Sequence, residues 1–307
     1  MRYSKPFFWS EKKLISLILY PLTLLTILIN FIKKKSFKKK FLIKTICVGN
    51  IYVGGTGKTS LVIEINKILH KKYKTVFIKK NYPEQIDEQN LLKKRGNIIN
   101  ANERKRAITI AQKKKFDIAI LDDGLQQKNI YYDLSIVCFN SSYGLGNSFL
   151  LPAGPLRESI NEIKKYDIVF LNGEKKNKKL YSKLKSIDKN IRIFEAKYKP
   201  MNLSKLNRNK KYLMFSGIGN PHEFEKTLNK YNFKIKKTLI YPDHYKFKNK
   251  EIIQIKKLAE KNNLNLITTE KDFLRLNKNH RKNIKFLKVE LEILNIKKFK
   301  RFLINKI

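Results

Sequence analysis

From residue 41 onward, short apolar runs alternate with segments of helical spacing. "LIKTICVGN", "TVFIKK", "FDIAILDDG", "DLSIVCFN" and "YDIVFLN" are apolar enough to be strands buried on both faces. Between the first two, Leu61, Val62, Ile65, Ile68 and Leu69 recur on one face of a helix, and "RAITIAQKKK" reads as a second helix. Strands that alternate with helices predict a parallel sheet with its ligand at the carboxyl ends of the strands. A lysine-rich, weakly patterned stretch from Lys175 to Lys211 interrupts the theme. It then resumes with "KYLMFSGIGN", a helix from His222, "KIKKTLIYPDH", a helix from Asn249 and "NLITTEKD". The expectation is two α/β domains, 41–200 and a smaller one at 201–307.

The first forty residues follow a different pattern. "LISLILYPLTLLTILINFI", Leu14 to Ile32, approaches the ~17–25 residues of a membrane span and has lysines on both sides. Pro21, Asn30 and two threonines weaken a full crossing. A secretory signal is not expected, because lysines rather than a small-residue cleavage site follow. The segment 1–40 is therefore read as a membrane-associated helix, either spanning or lying in the interface with lysines on lipid phosphates.

Charge changes this picture little. The 307 residues carry 68 basic and 25 acidic side chains, a net charge of +43. Such an excess suits an anionic partner, but the abundance of Lys, Asn and Ile together also reflects A/T-rich codon usage. Nucleic acid is not expected as a partner, since no basic-aromatic binding motif is visible. A hydrophobic fraction of 42% argues against disorder. Cys47 and Cys138 each sit in a predicted buried strand, which suits a reducing compartment. The four histidines share no metal-ligand spacing.

The chemistry starts at "VGNIYVGGTGKTS", between a predicted strand and an amphipathic helix. A Walker A loop would have glycine at position 52, where this chain has tyrosine. The rest fits a phosphate cradle: Gly54, Gly55, Thr56 and Gly57 in the loop, then Lys58, Thr59 and Ser60 opening the helix. Lys58 would reach the phosphates of a nucleotide and Thr59 would offer its hydroxyl to Mg²⁺. Asp122 and Asp123 end another apolar strand, where a P-loop protein holds its metal. These features suggest a nucleoside triphosphate with Mg²⁺, without choosing between ATPase, GTPase and kinase.

Six segments in one order add a choice: "VGNIYVGGTGKT", "LDDGLQQ", "LPAGPLRE", "FSGIGNPHEF", "YPDHY" and "TTEKD". Together they resemble the tetraacyldisaccharide 4'-kinases, the lipid A 4'-kinases, from the N-terminal helix to near residue 275. The resemblance implies a P-loop kinase at the cytoplasmic face of a Gram-negative-type inner membrane, acting as a monomer. It implies transfer of the γ-phosphate of ATP to the 4'-hydroxyl of a tetraacylated glucosamine disaccharide 1-phosphate, a lipid A precursor. By the same resemblance the proton is taken by Asp87 assisted by His244, with Arg104 and Arg157 as anion contacts for substrate or ATP. Outside the resemblance, His244 could simply cap the helix after "YPDH", and Asp87 could be a solvated surface acid. The chain departs from the family at "KKNYP", Lys79 to Pro83, where the usual motif is Ser-Arg-Gly-Tyr-Gly. It departs again at Ile86 and Gln127, in place of a glycine and a histidine. The competing function is a membrane-peripheral P-loop ATPase that works as a switch without a lipid-sugar acceptor.

Overall fold

The computed structural model describes residues 6–34, 37–82 and 85–307. Part of the lysine block after the N-terminal helix, and Pro83 of "KKNYP", lie outside the described residues. The chain forms two compact units, each assembled from separate stretches. The first holds Lys5–Asn81, Arg95–Tyr198 and Leu291–Ile307; the second holds Tyr82–Lys94 and Lys199–Glu290. This corrects the expected division. The described part of the N-terminal arm, residues 6–34, belongs to the first unit, the C-terminal tail returns to it, and 82–94 belongs to the second.

Elements are numbered in chain order. In the first unit they are α1 (Leu14–Ile18), α2 (Thr23–Lys34), β1 (Lys44–Gly49), α3 (Lys58–Leu69), β2 (Thr75–Lys80), β3 (Ile98–Ala101) and α5 (Arg104–Lys113). They continue with β4 (Ile118–Asp122), β5 (Leu134–Asn140), β6 (Ile168–Asn172), α6 (Lys178–Ile187), β7 (Arg192–Pro200), β12 (Val289–Ile293) and α10 (Ile296–Lys306). The sheet order is β12-β7-β6-β5-β1-β4-β2-β3, and the pairs from β7 to β3 are parallel. Helices cover the central strands, so Ile46, Cys47 and Val48 of β1 and Ile118 to Leu121 of β4 are all buried. That double burial is why these strands read as unbroken apolar runs rather than alternating ones.

The hydrophobic N-terminal stretch is not one helix. A 3-10 turn at Tyr20–Leu22 separates α1 from α2, with Pro21 inside it, because proline has no N–H to continue the α-helical ladder. No helix among the described residues is long and apolar enough to cross a membrane. The polarity of this arm is inverted. Ser16 and Thr23 are buried, whereas Leu24, Leu25, Leu28, Phe31 and Ile32 are exposed. Thr26 Oγ1 donates to the Leu151 carbonyl at 2.7 Å and Asn30 Nδ2 to the Arg157 carbonyl at 2.8 Å. Trp9 Nε1 donates to the Pro152 carbonyl at 3.1 Å. Two of the polar residues that argued against a span, Thr26 and Asn30, thus fasten the arm to "LPAGPLRE".

The second unit contains α4 (Ile86–Lys93), β8 (Lys211–Ser216), α7 (Pro221–Lys230), β9 (Lys234–Ile240), α8 (Asn249–Lys261), β10 (Asn265–Thr269), α9 (Glu270–Arg275) and β11 (Ile284–Leu287). Its sheet, in the order β11-β10-β8-β9, is parallel throughout. Phe215 and Met214 on β8 and Ile267 on β10 are fully buried between its helices. The carboxyl ends of β8, β9 and β10 carry "FSG", "YPDH" and "TTEKD", so three separate sequence motifs meet at one edge of this sheet.

Candidate active site

In the first unit the glycine loop joins β1 to α3. Gly57 caps α3 in the left-handed conformation, φ 83°, and a Cβ there would lie 2.6 Å from Asn172 Nδ2 and from Tyr198 Oη. Only glycine satisfies both constraints. Asn172, at the end of β6, uses that Nδ2 to hold the Thr56 carbonyl at 2.6 Å. Asn50 Nδ2 donates to the carbonyls of Tyr52 and Gly54. Tyr52 itself is not in the curled part of the loop. It forms an antiparallel bridge with Leu156, is buried, and stacks on Tyr143 with ring centroids 6.1 Å apart. Glycine is not needed at an extended, paired position, which explains the departure from the Walker pattern.

Val48 of β1 pairs with Asp122 of β4, so the acidic pair ends its strand directly beside the loop. Thr59 Oγ1 donates to Asp122 Oδ2 at 3.0 Å, and Lys58 Nζ is 3.9 Å from Asp123 Oδ2. Lys79, noted in the sequence only as the start of "KKNYP", lies at the end of β2 with its Nζ 2.7 Å from Asp122 Oδ2. Arg157 Nη1 is 3.4 Å from Asp123 Oδ2 and 3.3 Å from Gln126 Oε1. Burial works to raise the Asp123 carboxyl, but the charges of Lys58, Arg157, Arg104 and Lys79 outweigh it and hold it below the usual carboxylate range. Arg104, the first residue of α5, donates to Gln127 at 3.3 Å. Its buried Nε has no hydrogen-bond partner among the described residues, a spare donor of the kind an anion would take. Ser60 lies beside Lys58 and Thr59 in the first turn of α3, and Gly55 in the loop before them.

The metal expected here can be judged on its donors. Asp122 Oδ1 and Asp123 Oδ1 are both buried and accept no hydrogen bond among the described residues. Two open carboxylate oxygens beside a threonine hydroxyl suit a hard divalent cation that keeps most of its other ligands as water and phosphate. The residues fit Mg²⁺.

The second unit gathers the other predicted pair. Asp87 is 1% exposed, which removes the reading of a solvated surface acid. His244 Nδ1 lies 3.2 Å from Asp87 Oδ1. His244 does not cap a helix, since the N-cap of α8 is Lys248. It sits instead at φ 58°, with its backbone N–H on the Gly217 carbonyl at 3.0 Å. Arg275 was not singled out from the sequence, yet it organises the cluster. Its Nη2 donates to Asp87 Oδ2 at 2.7 Å and its Nη1 to Asp272 Oδ1 at 2.6 Å. Asp272 is itself held by Thr269 Oγ1 at 2.7 Å and the Gly217 N–H at 3.1 Å. Lys271 pairs with Glu88 at 2.8 Å. Burial pushes the Asp87 carboxyl up, but the His244 hydrogen bond and the charges of Lys271 and Arg275 outweigh it and bring it down to about 2. The only sequence signal for Arg275 was its spacing, one helical turn after Asp272.

A glycine loop and an acidic strand end, side by side in a parallel sheet, define a phosphate-handling protein of the P-loop class. Relatives narrow the class. The chain belongs to the tetraacyldisaccharide-1-P 4'-kinase family, which it matches over residues 15–307. It is 46% identical over 297 residues to the tetraacyldisaccharide 4'-kinase of Pelagibacter ubique, covering 95% of each chain. With the Rickettsia akari enzyme of the same name, identity is 34% over 309 residues, covering 94% of this chain and 93% of the other. A solved structure of LpxK from Aquifex aeolicus in complex with ATP shares the fold. Its TM-score is 0.72 at 22% identity, covering 95% of this chain and 99% of that one.

Proposed function

We infer that this protein is an ATP-dependent kinase of lipid A biosynthesis. It transfers the γ-phosphate of ATP to the 4'-hydroxyl of a tetraacylated glucosamine disaccharide 1-phosphate. The observation that carries this reading is the Thr59–Asp122 hydrogen bond of 3.0 Å beside the Lys58–Asp123 pair, in a chain of this family. Lys58 and the loop backbone would hold the phosphates of ATP. Thr59, Asp122 and Asp123 would hold Mg²⁺, which supplies neutralisation of the phosphate charge when bound. Arg157 and Arg104 would anchor anionic oxygens of ATP or of the acceptor. Asp87 and His244 would take the proton of the acceptor hydroxyl, with Arg275 fixing the carboxylate that orients the imidazole.

The exposed apolar side chains of α1 and α2 support a reading in which the arm lies in a lipid surface, on the cytoplasmic face of a Gram-negative-type inner membrane. An acyl-chain substrate dissolved in that surface would then be met where it resides. A monomer suffices for this scheme, since one chain carries the phosphate-handling and proton-accepting groups. The test incubates purified protein with ATP, Mg²⁺ and tetraacyl disaccharide 1-phosphate in detergent. A 4'-phosphorylated product is expected; its absence beside a competent control enzyme overturns the reading. The alternative, a membrane ATPase switch, leaves the buried Asp87–His244–Arg275 cluster without a task.

A further inference from the structure

The Lys79 side chain is 3% exposed and that of Asp122 is fully buried, and their contact is 2.7 Å. A buried lysine at the end of a strand is costly unless its charge is matched. Here it is matched by a carboxylate of the metal pocket, and by the same oxygen that accepts the Thr59 hydroxyl. The pocket also contains Lys58 and Arg157, both on Asp123. With Arg104, whose charge also acts on Asp123, the cations outnumber the two carboxylates among the described residues, and the pocket carries an excess of positive charge. A bare divalent cation approaching the open Oδ1 of Asp122 would meet the Lys79 ammonium on the neighbouring oxygen, in a region water does not screen. Nucleotide phosphates reverse that balance, because they bring more negative charge than the pocket lacks.

We propose that Lys79 is a resident counter-ion of the metal pocket: it holds Asp122 in place and excludes divalent cations until nucleotide arrives, so that the metal enters only together with ATP. Lys79 is a positioning residue in this scheme, acting through Asp122. The proposal rests on the assignment of Thr59, Asp122 and Asp123 to the metal. It implies an order of loading that the phosphate loop alone would not impose. Lys79→Met removes the cation paired with Asp122 and frees the Asp122 charge, which a divalent ion can then satisfy.

Mn²⁺ titrations followed by electron paramagnetic resonance test this on the full chain, with and without ATP. Wild-type protein should bind Mn²⁺ only when ATP is present. Lys79→Met should bind Mn²⁺ alone roughly tenfold or more tightly than wild type, and Mn²⁺ should raise its melting temperature but not that of wild type. Lys79→Arg, which keeps the charge, should behave as wild type. Equal Mn²⁺ binding by wild type and Lys79→Met without nucleotide overturns the proposal. Should Lys79→Met fail to fold in metal-free buffer, recovery of its native circular dichroism by Mn²⁺ supports the proposal and failure to recover overturns it. Loss of ATP-dependent Mn²⁺ binding in wild type would instead sink the metal assignment on which the proposal stands.

Discussion

His244 and Asp87 are 157 positions apart in sequence, yet His244 Nδ1 lies 3.2 Å from Asp87 Oδ1. Arg275 holds the other carboxylate oxygen at 2.7 Å. With its carboxyl brought down to about 2, Asp87 is ionised throughout the neutral range. It can therefore accept a proton from the facing Nδ1 of the imidazole. Replacing Asp87 with Asn should lower turnover roughly 10²–10⁴-fold while the affinity for ATP stays the same. Single-turnover transfer and equilibrium binding of a fluorescent ATP analogue separate the two; a parallel loss of both would place Asp87 in the fold rather than in the chemistry.

The same carboxylate links stability to pH. Its ordinary value is 3.8 and its folded value is about 2. The stabilisation it supplies is full above pH ~4 and disappears as pH falls through ~2, and it amounts to about 2 kcal/mol. The gap in unfolding midpoint between wild type and Asp87→Asn should be widest near neutrality and close progressively below about pH 4. A gap that stays constant down to pH ~2 would mean that His244, Lys271 and Arg275 together do not hold this carboxyl down.

At the phosphate loop, Lys58→Ala should abolish transfer and weaken ATP binding. Gly57→Ala should do likewise for a different reason, because position 57 needs φ 83° and has no room beside Asn172 and Tyr198. ATP affinity falling roughly tenfold or more, measured by calorimetry, is the expected result; an unchanged affinity would refute the loop assignment.

The N-terminal arm should separate into two faces under mutation. Leu24→Ser with Leu28→Ser, on exposed positions, should reduce co-sedimentation with anionic vesicles and leave the melting temperature unchanged. Asn30→Leu removes the bond to the Arg157 carbonyl and should cost about 1 kcal/mol of stability without reducing vesicle binding. If both changes act alike on vesicles, the arm is not a membrane surface.

Much of this was legible in the sequence, and the exceptions share a cause. Strands buried on both faces, such as β1 and β4, announce themselves as apolar runs, and the glycine loop follows from its flanking strand and helix. The lysine-rich stretch after Lys175 concealed α6 and β7, since α6 buries only Leu180 and Leu184 and lysines dilute its pattern. Periodicity is local, so it could not reveal that β12 joins the first sheet or that 82–94 leaves it. The roles of Lys79 and Arg275 stayed hidden because each acquires its role from a partner far along the chain: Asp122 is 43 residues from Lys79, and Asp87 is 188 from Arg275. Pro21 did signal the break between α1 and α2, but hydropathy alone suggested one continuous helix.

The return of the C-terminal tail has a practical corollary for anyone cutting this protein into pieces. Phe299 and Leu303 of α10 are fully buried, and the Phe299 ring stacks edge-on against Phe170 and Phe194, with centroids 5.4 and 5.0 Å away. A stop codon after residue 198 would strip that aromatic cover and expose the flank of the nucleotide sheet. In genetic terms the second unit is an insertion rather than an appendage. It can be excised only by splicing the chain closed on both sides, and a premature stop anywhere in it should yield an insoluble product instead of a shorter ATP-binding protein.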